Sequence, residues 1–340
     1  MRFAENNRIS HRQLYRQMVL AFLAPFFLCL MGKDGLLGLN GIAGTGAAVV
    51  LLVFYVIILI RLTPCYTHPI KNLGGFWGRA AGVFFLSYVL LTGAFLLRLL
   101  AEIVPESLVA GVSGRWIAFF AILVCSVGAH RGMQPRGRAA EVSGGVILVV
   151  ILLLMILCAG QGKTGYLMEM TAVPLTGKGF LKSAYQVLCA FAGVGLLPFA
   201  LEDVQKQGSS KKAAILALVT LGVFLIGMEF LLPAVLGWER LQMEKNPVLP
   251  LLAGADLPGN LLSRFDVLWM GFLIYGLLFS IGSLLHYGHQ IIRRTSLFTG
   301  RVWMAVVMYL LAFLEFDGYK ITDYFGIYLG YIFVPGLILV

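Results

Sequence analysis

Charged residues are scarce in this sequence. Of its 340 residues only 12% are Asp, Glu, Lys or Arg, whereas 59% are hydrophobic, and the mean hydropathy is +0.89. A water-soluble chain of this length needs far more polar surface. The weak alternation that marks the strands of an outer-membrane barrel is also missing. Apolar runs of about 18 residues or more recur instead, which predicts an all-α polytopic membrane protein.

Motifs for catalysis and metal binding are missing too. The five cysteines are scattered and form no CxxC pair, so they are interpreted as small core residues. The stretch "GQGKTG" ends like a phosphate loop, but Leu157 stands where that loop requires a glycine five residues before Gly162. No nucleophile elbow or HExxH motif is present. The sequence therefore predicts no enzymatic activity, no metal and no cofactor.

The apolar runs divide the chain into ten predicted spans in one membrane domain, residues 1–340. About twenty helical residues cross the ~30 Å hydrocarbon core of a bilayer. The first five spans form a predicted repeat at about 12–160, and the last five form another at about 180–339. The spans are placed at about 12–31, 41–62, 76–99, 114–130, 140–160, 180–201, 213–236, 264–290, 301–315 and 320–339.

The basic residues predict the orientation of the chain. With the N-terminus inside, 16 of the 26 Lys and Arg residues fall on the cytoplasmic side. The positive-inside rule then favours ten spans with both termini cytoplasmic. This distribution explains the net charge of +10 without a clustered soluble basic face, so no nucleic-acid partner is expected.

Two spans carry helix breakers near their centres. Span 6 contains "FAGVGLLP", with Gly193, Gly195 and Pro198, and span 1 contains "FLAPFF", with Pro25. The two spans lie five apart and run in opposite directions under the predicted topology. Such pairing is typical of two inverted five-helix repeats, in which broken helices 1 and 6 frame a ligand site. The alternative is that these residues only kink their helices or allow close helix contact.

The predicted binding residues are those near mid-depth in spans 1, 3, 6 and 8. Freed backbone groups and hydroxyls at this depth suit a small polar ligand. Most membrane hydroxyls instead bond to their own helix or to a neighbouring helix. The set comprises Leu23, Ala24, Pro25, Tyr88, Thr92, Phe191, Gly193, Val194, Gly195, Tyr275 and Ser280.

Three charged residues complete the predictions. Glu229 is the only acid well inside a span, and intramembrane acids usually face a cavity or a partner. It is assigned a proton-coupling or ligand-coupling role, with a snorkelling interfacial acid as the alternative. Arg138 and Glu141 are spaced i, i+3 at the start of span 5 and are predicted to form a structural ion pair that sets helix depth.

Four short stretches, in this order and spacing, resemble the spore germination permease family. Those around the turn between spans 4 and 5 and at the start of span 8 are the most specific. The resemblance covers most of the chain and is carried by "ISHRQLY", "HRGMQPRGRAAEV", "NPVLPLL" and "LLSRFDVLWMGFLIYG".

The resemblance implies membership of the amino acid–polyamine–organocation transporter superfamily. It implies a ten-helix inverted-repeat bundle and a site for an amino acid or similar nutrient at helices 1 and 6. It also implies the inner membrane of a bacterial endospore and partnership with a germinant-receptor A subunit and a lipoprotein C subunit. Here Gly195 stands near a position where the family often has an acid, and Pro25 where a glycine is usual. These departures leave the ligand class open.

Three functions are compatible with the sequence. A receptor subunit would bind a nutrient and shift a conformational equilibrium read by partner subunits. A secondary transporter would move an amino acid or amine with a proton or cation. A structural subunit would retain the fold with a decayed pocket. The fold alone does not choose among them.

Overall fold

The computed structural model describes most of the chain. The described residues are 8–31, 36, 38–67, 69–109, 111–205, 207–244, 246–253, 265–296, 303–315 and 318–339.

Within these ranges the protein is all helical. Two isolated bridges join Ile9 to Val204 and Met31 to Leu36, and no strand forms in the described residues. The α-helices are α1 (His11–Cys29), α2 (Gly38–Thr67), α3 (Pro69–Leu73), α4 (Gly75–Ser107), α5 (Gly114–His130), α6 (Met133–Ala159), α7 (Thr164–Ala172), α8 (Gly177–Ala190), α9 (Leu197–Leu201), α10 (Gln207–Leu236), α11 (Trp238–Met243), α12 (Val248–Ala253), α13 (Phe265–Thr295), α14 (Trp303–Phe313), α15 (Ile321–Ile327) and α16 (Val334–Leu339).

Seven helical segments are long and apolar enough to cross a membrane. They correspond to predicted spans 2, 3, 5, 6, 7, 8 and 10, and they are Gly38–Tyr66, Gly75–Ser107, Met133–Ala159, Gly177–Leu201, Ser209–Leu236, Val267–Thr295 and Ile321–Ile338.

The other three predicted spans coincide with α1, α5 and α14. Helix α1 has 19 residues, but Arg12 and Arg16 make its first turns polar. Helix α5 has 17 residues and α14 has 11. Eleven helical residues reach only ~16 Å, about half of the ~30 Å hydrocarbon core. The structure therefore supports a multi-pass helical protein with seven clear spans, and the ten-span topology stays a prediction.

Helix α1 begins with a capping box. The Ser10 hydroxyl accepts a hydrogen bond from the Gln13 N–H at 3.3 Å, and Gln13 Oε1 accepts one from the Ser10 N–H at 3.0 Å. Such boxes satisfy backbone donors that a helix start leaves free. The adjacent Ile9 pairs with the chain after α9, because its N–H donates to the Asp203 carbonyl at 2.7 Å. The start of α1 is thus held against the end of α9.

Span 1 is not broken at Pro25, contrary to the prediction. Helix α1 runs without interruption through Pro25 to Cys29. A proline has no N–H, so the carbonyl of Ala21, four residues earlier, loses its helical donor. The Ser280 hydroxyl of α13 lies 2.6 Å from that carbonyl and donates to it. With the carbonyl satisfied from a neighbouring helix, unwinding is not required.

Span 6 is interrupted where the sequence predicted it. Between α8 and α9, residues Phe191–Leu196 form a 3₁₀ helix. Gly193 and Gly195 weaken the α-helical conformation here. Pro198 lies in the first turn of α9, where its missing N–H costs nothing. The glycines end one helix and the proline starts the next.

Helix α1 occupies the centre of the bundle, where it packs against α6, α10 and α13. Helix α6 instead turns one face outward, with Val142, Val149 and Ile156 exposed at seven-residue intervals. Side chains at this spacing lie on one side of a helix. In a membrane protein such an apolar face contacts lipid.

Candidate functional site

A cavity of about 1050 Å³ opens beside the interrupted span. Its walls come from α1, α4, the α8–α9 segment, α13 and the C-terminal segment α15–α16. Aromatic side chains line much of it, including Phe22, Phe26, Tyr88, Phe95 and Tyr185. This volume is in the upper range of small-molecule sites. The cavity is therefore the candidate ligand site.

Six of the eleven predicted binding residues line this cavity. They are contributed by α1, α4, the 3₁₀ segment and α13, and they are Pro25, Tyr88, Thr92, Gly193, Val194 and Ser280.

At Gly193 the 3₁₀ segment lies close against α1 and α4. A Cβ at this position would lie 2.8 Å from the Tyr88 hydroxyl and 3.1 Å from Phe22 Cζ. Any side chain at Gly193 would thus displace the cavity wall. The absence of a side chain here lets α1, α4 and the interrupted span meet.

The other five predicted residues lie outside the lining. Ala24 packs against Gly276, whose added Cβ would lie 2.7 Å from the Ala24 Cβ. Leu23 is buried in the core. The Phe191 ring packs edge-to-face on Phe26 at 4.4 Å between centroids. These three hold α1 in place rather than face the cavity.

Gly195 and Tyr275 also have structural contacts. A Cβ on Gly195 would lie 3.0 Å from Leu337 Cδ2, so this glycine accommodates the C-terminal helix. The Tyr275 hydroxyl lies 2.9 Å from the Ser143 hydroxyl of α6. Their binding role stays a prediction without a direct contact to the cavity.

The C-terminal segment forms a wall that the sequence reasoning missed. Residues Tyr328–Phe333 form a π-helix between α15 and α16, and Leu329, Gly330 and Tyr331 line the cavity. The Tyr185 hydroxyl of α8 donates to the Gly330 carbonyl. Irregular turns of this kind often occur at functional sites. The one-turn spacing of Gly326 and Gly330 was the available sequence signal.

Gln17 is a second cavity-lining residue that the sequence reasoning did not predict. Its side chain is 4% exposed, lines the cavity, and has an Nε2 group without a hydrogen-bond partner among the described residues. Buried amide groups are normally paired. An amide at the edge of an apolar run, "RQMVLAFLAPFF", was the available signal.

Glu229 lies away from the cavity, buried in α10. It is 2% exposed, and its Oε1 accepts a hydrogen bond from Thr45 of α2 at 2.7 Å. The other carboxyl oxygen has no partner among the described residues. The alternative interpretation of Glu229 as a snorkelling interfacial acid therefore does not fit this burial. A coupling role for Glu229 would act through the α2–α10 contact.

Glu141 has partners other than the predicted Arg138. Its carboxylate accepts from Gln13 Nε2 at 2.8 Å, and its backbone carbonyl accepts from the Arg16 guanidinium. Both partners belong to α1, so Glu141 fastens α6 to the start of α1. The i, i+3 spacing with Arg138 allows an ion pair as well, and that pair stays a prediction.

A polar cluster joins the end of α9 to α13. Gln290 Nε2 donates to the Asp203 carboxylate at 2.8 Å, and Arg294 pairs with Glu202. Burial raises the pKa of Asp203 above its usual range, and the Gln290 hydrogen bond opposes that rise. The cluster ties the segment after the interrupted span to α13 at one end of the cavity.

The fold and the cavity define a multi-pass helical membrane protein with an internal small-molecule cavity. The sequence profile of the spore germination protein family matches residues 39–317. The chain belongs to this family, which confirms the resemblance seen in its sequence. The family comprises germination and permease-type membrane proteins and is not a known enzyme family. A search of the curated proteins finds no match.

Proposed function

We propose that this protein is the membrane subunit of a spore nutrient-germinant receptor. It binds a small nutrient, such as an amino acid, in the cavity beside Phe191–Leu196 and signals germination. Family membership supports the germination role. The observation that carries the binding role is an internal cavity of about 1050 Å³ against an interrupted span.

Signalling in this proposal is a shift between two conformations. A ligand shifts such an equilibrium only if its affinity for the two states differs. The 3₁₀ segment is placed to sense the ligand because Gly193 and Val194 line the cavity. The chain after α9 contacts Ile9 and Gln290, so movement of the segment would reach the start of α1 and the end of α13.

We also propose the membrane topology, the location and the partner subunits of the protein. The protein has ten spans in two inverted repeats, lies in the inner membrane of a bacterial endospore, and keeps both termini in the cytoplasm. A germinant-receptor A subunit and a lipoprotein C subunit read the conformational change. Superfamily membership among amino acid–polyamine–organocation transporters accounts for the cavity.

A secondary transporter of amino acids or amines is the alternative. Glu229 favours it, because a buried acid hydrogen-bonded to Thr45 resembles the groups used in proton relays. Glu229→Gln would then abolish any pH dependence of transport or response while Thr45 keeps an acceptor. Unchanged ligand response and pH dependence in this variant would remove the coupling role.

Uptake and binding measured together distinguish the two functions. Purified protein in liposomes is exposed to a panel of labelled amino acids with and without a proton gradient. Saturable binding without accumulation supports the receptor. Gradient-driven accumulation supports the transporter. Absence of both, repeated with the A and C subunits present, would contradict a functional cavity and favour the structural subunit.

A further inference from the structure

The charges around the cavity are unbalanced. Among the described residues that line it, Lys182 is charged and none is an aspartate or glutamate. A buried ammonium group needs an acidic partner or several acceptors. The lining therefore offers no acidic partner to the amine of a ligand.

A second cation lies directly behind the wall. Arg136 of α6 is 9% exposed and donates through Nη2 to the Ser283 hydroxyl and to the Phe279 carbonyl, the latter at 3.2 Å. Its guanidinium lies over the Phe279 ring, 4.9 Å from the centroid. No carboxylate pairs with Arg136 in the part of the chain that the structure describes. A buried arginine without an anion is costly.

Ser283 connects Arg136 to the cavity wall through a hydrogen bond. It lines the cavity, donates its own proton to the Phe279 carbonyl at 2.7 Å, and accepts from Arg136. Arg136 therefore places a positive charge close to this point of the wall. An anionic group beside Ser283 would be stabilised in the low-dielectric interior.

Gln17 supplies a free donor at the same level. The Ser280 hydroxyl donates to the Ala21 carbonyl. Gln17 lies about one helical turn before Ala21 in α1, and Ser283 lies about one turn after Ser280 in α13. Helices α1 and α13 contact one another here. A Cβ on Gly137, the neighbour of Arg136, would lie 3.2 Å from Gln17 Nε2. Gln17 Nε2, which has no hydrogen-bond partner among the described residues, thus lies close to the turn of α6 that carries Arg136.

We infer that Gln17 and Ser283, with Arg136 behind them, form a carboxylate subsite in the cavity. This inference rests on the proposed function. The ligand class is a small carboxylate with an apolar body. An amine on the ligand is not required for binding. The carboxylate accepts from Gln17 Nε2 and lies beside Ser283. The body lies among the aromatic side chains of the wall. Arg136 is a positioning residue that acts through Ser283.

Three probes with one phenylpropyl skeleton test the inference. Tritiated 3-phenylpropionate, 3-phenylpropionamide and 3-phenylpropylamine share a phenyl ring and a three-carbon chain, and their head groups are anionic, neutral and cationic, respectively. Binding to the full-length protein in lipid nanodiscs is expected to rank the carboxylate first, the amide second and the amine last. A preference of about tenfold for the carboxylate over the amide is expected for one charge-assisted contact.

Introducing a negative charge at Gln17 gives the sharpest variant. Gln17→Glu places a carboxylate on the wall, so the amine probe should gain affinity and the carboxylate probe should lose it. A gain of binding cannot arise from misfolding. Arg136→Gln should remove about tenfold of the carboxylate preference, whereas Arg136→Lys, which retains the charge, should keep part of it. Arg138→Gln, at an exposed position two residues along α6, is the matched control and should leave the ranking of the three probes unchanged.

The outcomes separate this inference from the proposed function. Equal binding of the three probes, or a preference for the amine in the wild-type protein, overturns the carboxylate subsite and leaves the binding role intact. Unchanged ranking in both Gln17→Glu and Arg136→Gln also overturns it. No binding of any probe or of the amino-acid panel contradicts both proposals.

Discussion

Spans 1 and 6 both carry a proline, yet only span 6 departs from α-helix. In α1 the carbonyl freed by Pro25 receives the Ser280 hydroxyl, and the helix continues. In span 6 two glycines precede Pro198, and six residues adopt 3₁₀ geometry. Proline alone removes one hydrogen bond, which a neighbouring helix replaced. Glycines next to a proline lower the cost of unwinding over several residues.

The largest expected effect on ligand binding comes from a substitution at Gly193. Gly193→Leu would push a side chain into the space of the Tyr88 hydroxyl and Phe22. Because the leucine would displace the cavity wall, ligand binding should weaken by about tenfold or more, which is ~1.4 kcal/mol of binding free energy. Titration of labelled amino acids into nanodisc samples measures it. Gly46→Leu in α2 is the control, because a Cβ at Gly46 has no neighbour within 4 Å among the described residues. Equal binding in the two variants would contradict the site.

The Ser280 contact can be tested with a double-mutant cycle. Ser280→Ala leaves the Ala21 carbonyl without a donor and should lower the free energy of unfolding by about 1 kcal/mol. In a Pro25→Ala background the restored N–H bonds that carbonyl, so Ser280→Ala should cost much less. Unfolding in mixed micelles measures the four proteins. Equal costs in the two backgrounds would show that Ser280 does not compensate for Pro25.

Gly195 offers a milder test within the same segment. An added methyl group would meet the flexible end of Leu337 at 3.0 Å, outside the cavity lining. Gly195→Ala should therefore cost less than about 1 kcal/mol of stability and leave binding almost unchanged. The same nanodisc titration applies. A loss of binding as large as that of Gly193→Leu would place the ligand on the other side of the segment.

The smallest expected effect concerns pH and Asp203. Its raised pKa means that the folded state holds the proton more tightly than the unfolded state. The stabilisation is complete below about pH 4, the ordinary range of Asp, and is lost as the pH rises through the raised pKa. Asp203→Asn should flatten this slope in thermal unfolding measured between pH 4 and pH 7. An identical slope in both proteins would rule out Asp203 as its source.

Composition and hydropathy predicted the helical membrane class because they depend only on which residues face lipid. The break in span 6 was predictable because Gly193, Gly195 and Pro198 act locally. The continuity of α1 was not, since it depends on Ser280, which is 259 residues from Ala21 along the chain. Six predicted residues reached the cavity wall, but Gln17 and the Gly330 region required knowledge of which helices pack together.

Hydrogen–deuterium exchange in nanodiscs tests the central claim that span 6 is interrupted beside the cavity while span 1 stays helical through Pro25. Peptides covering Phe191–Leu196 should exchange faster than peptides covering Met18–Cys29, because a 3₁₀ segment facing a cavity opens more easily. A saturating mixture of L-amino acids should slow exchange more in the first set than in the second. Equal exchange in both sets, unaffected by the mixture, would contradict the account.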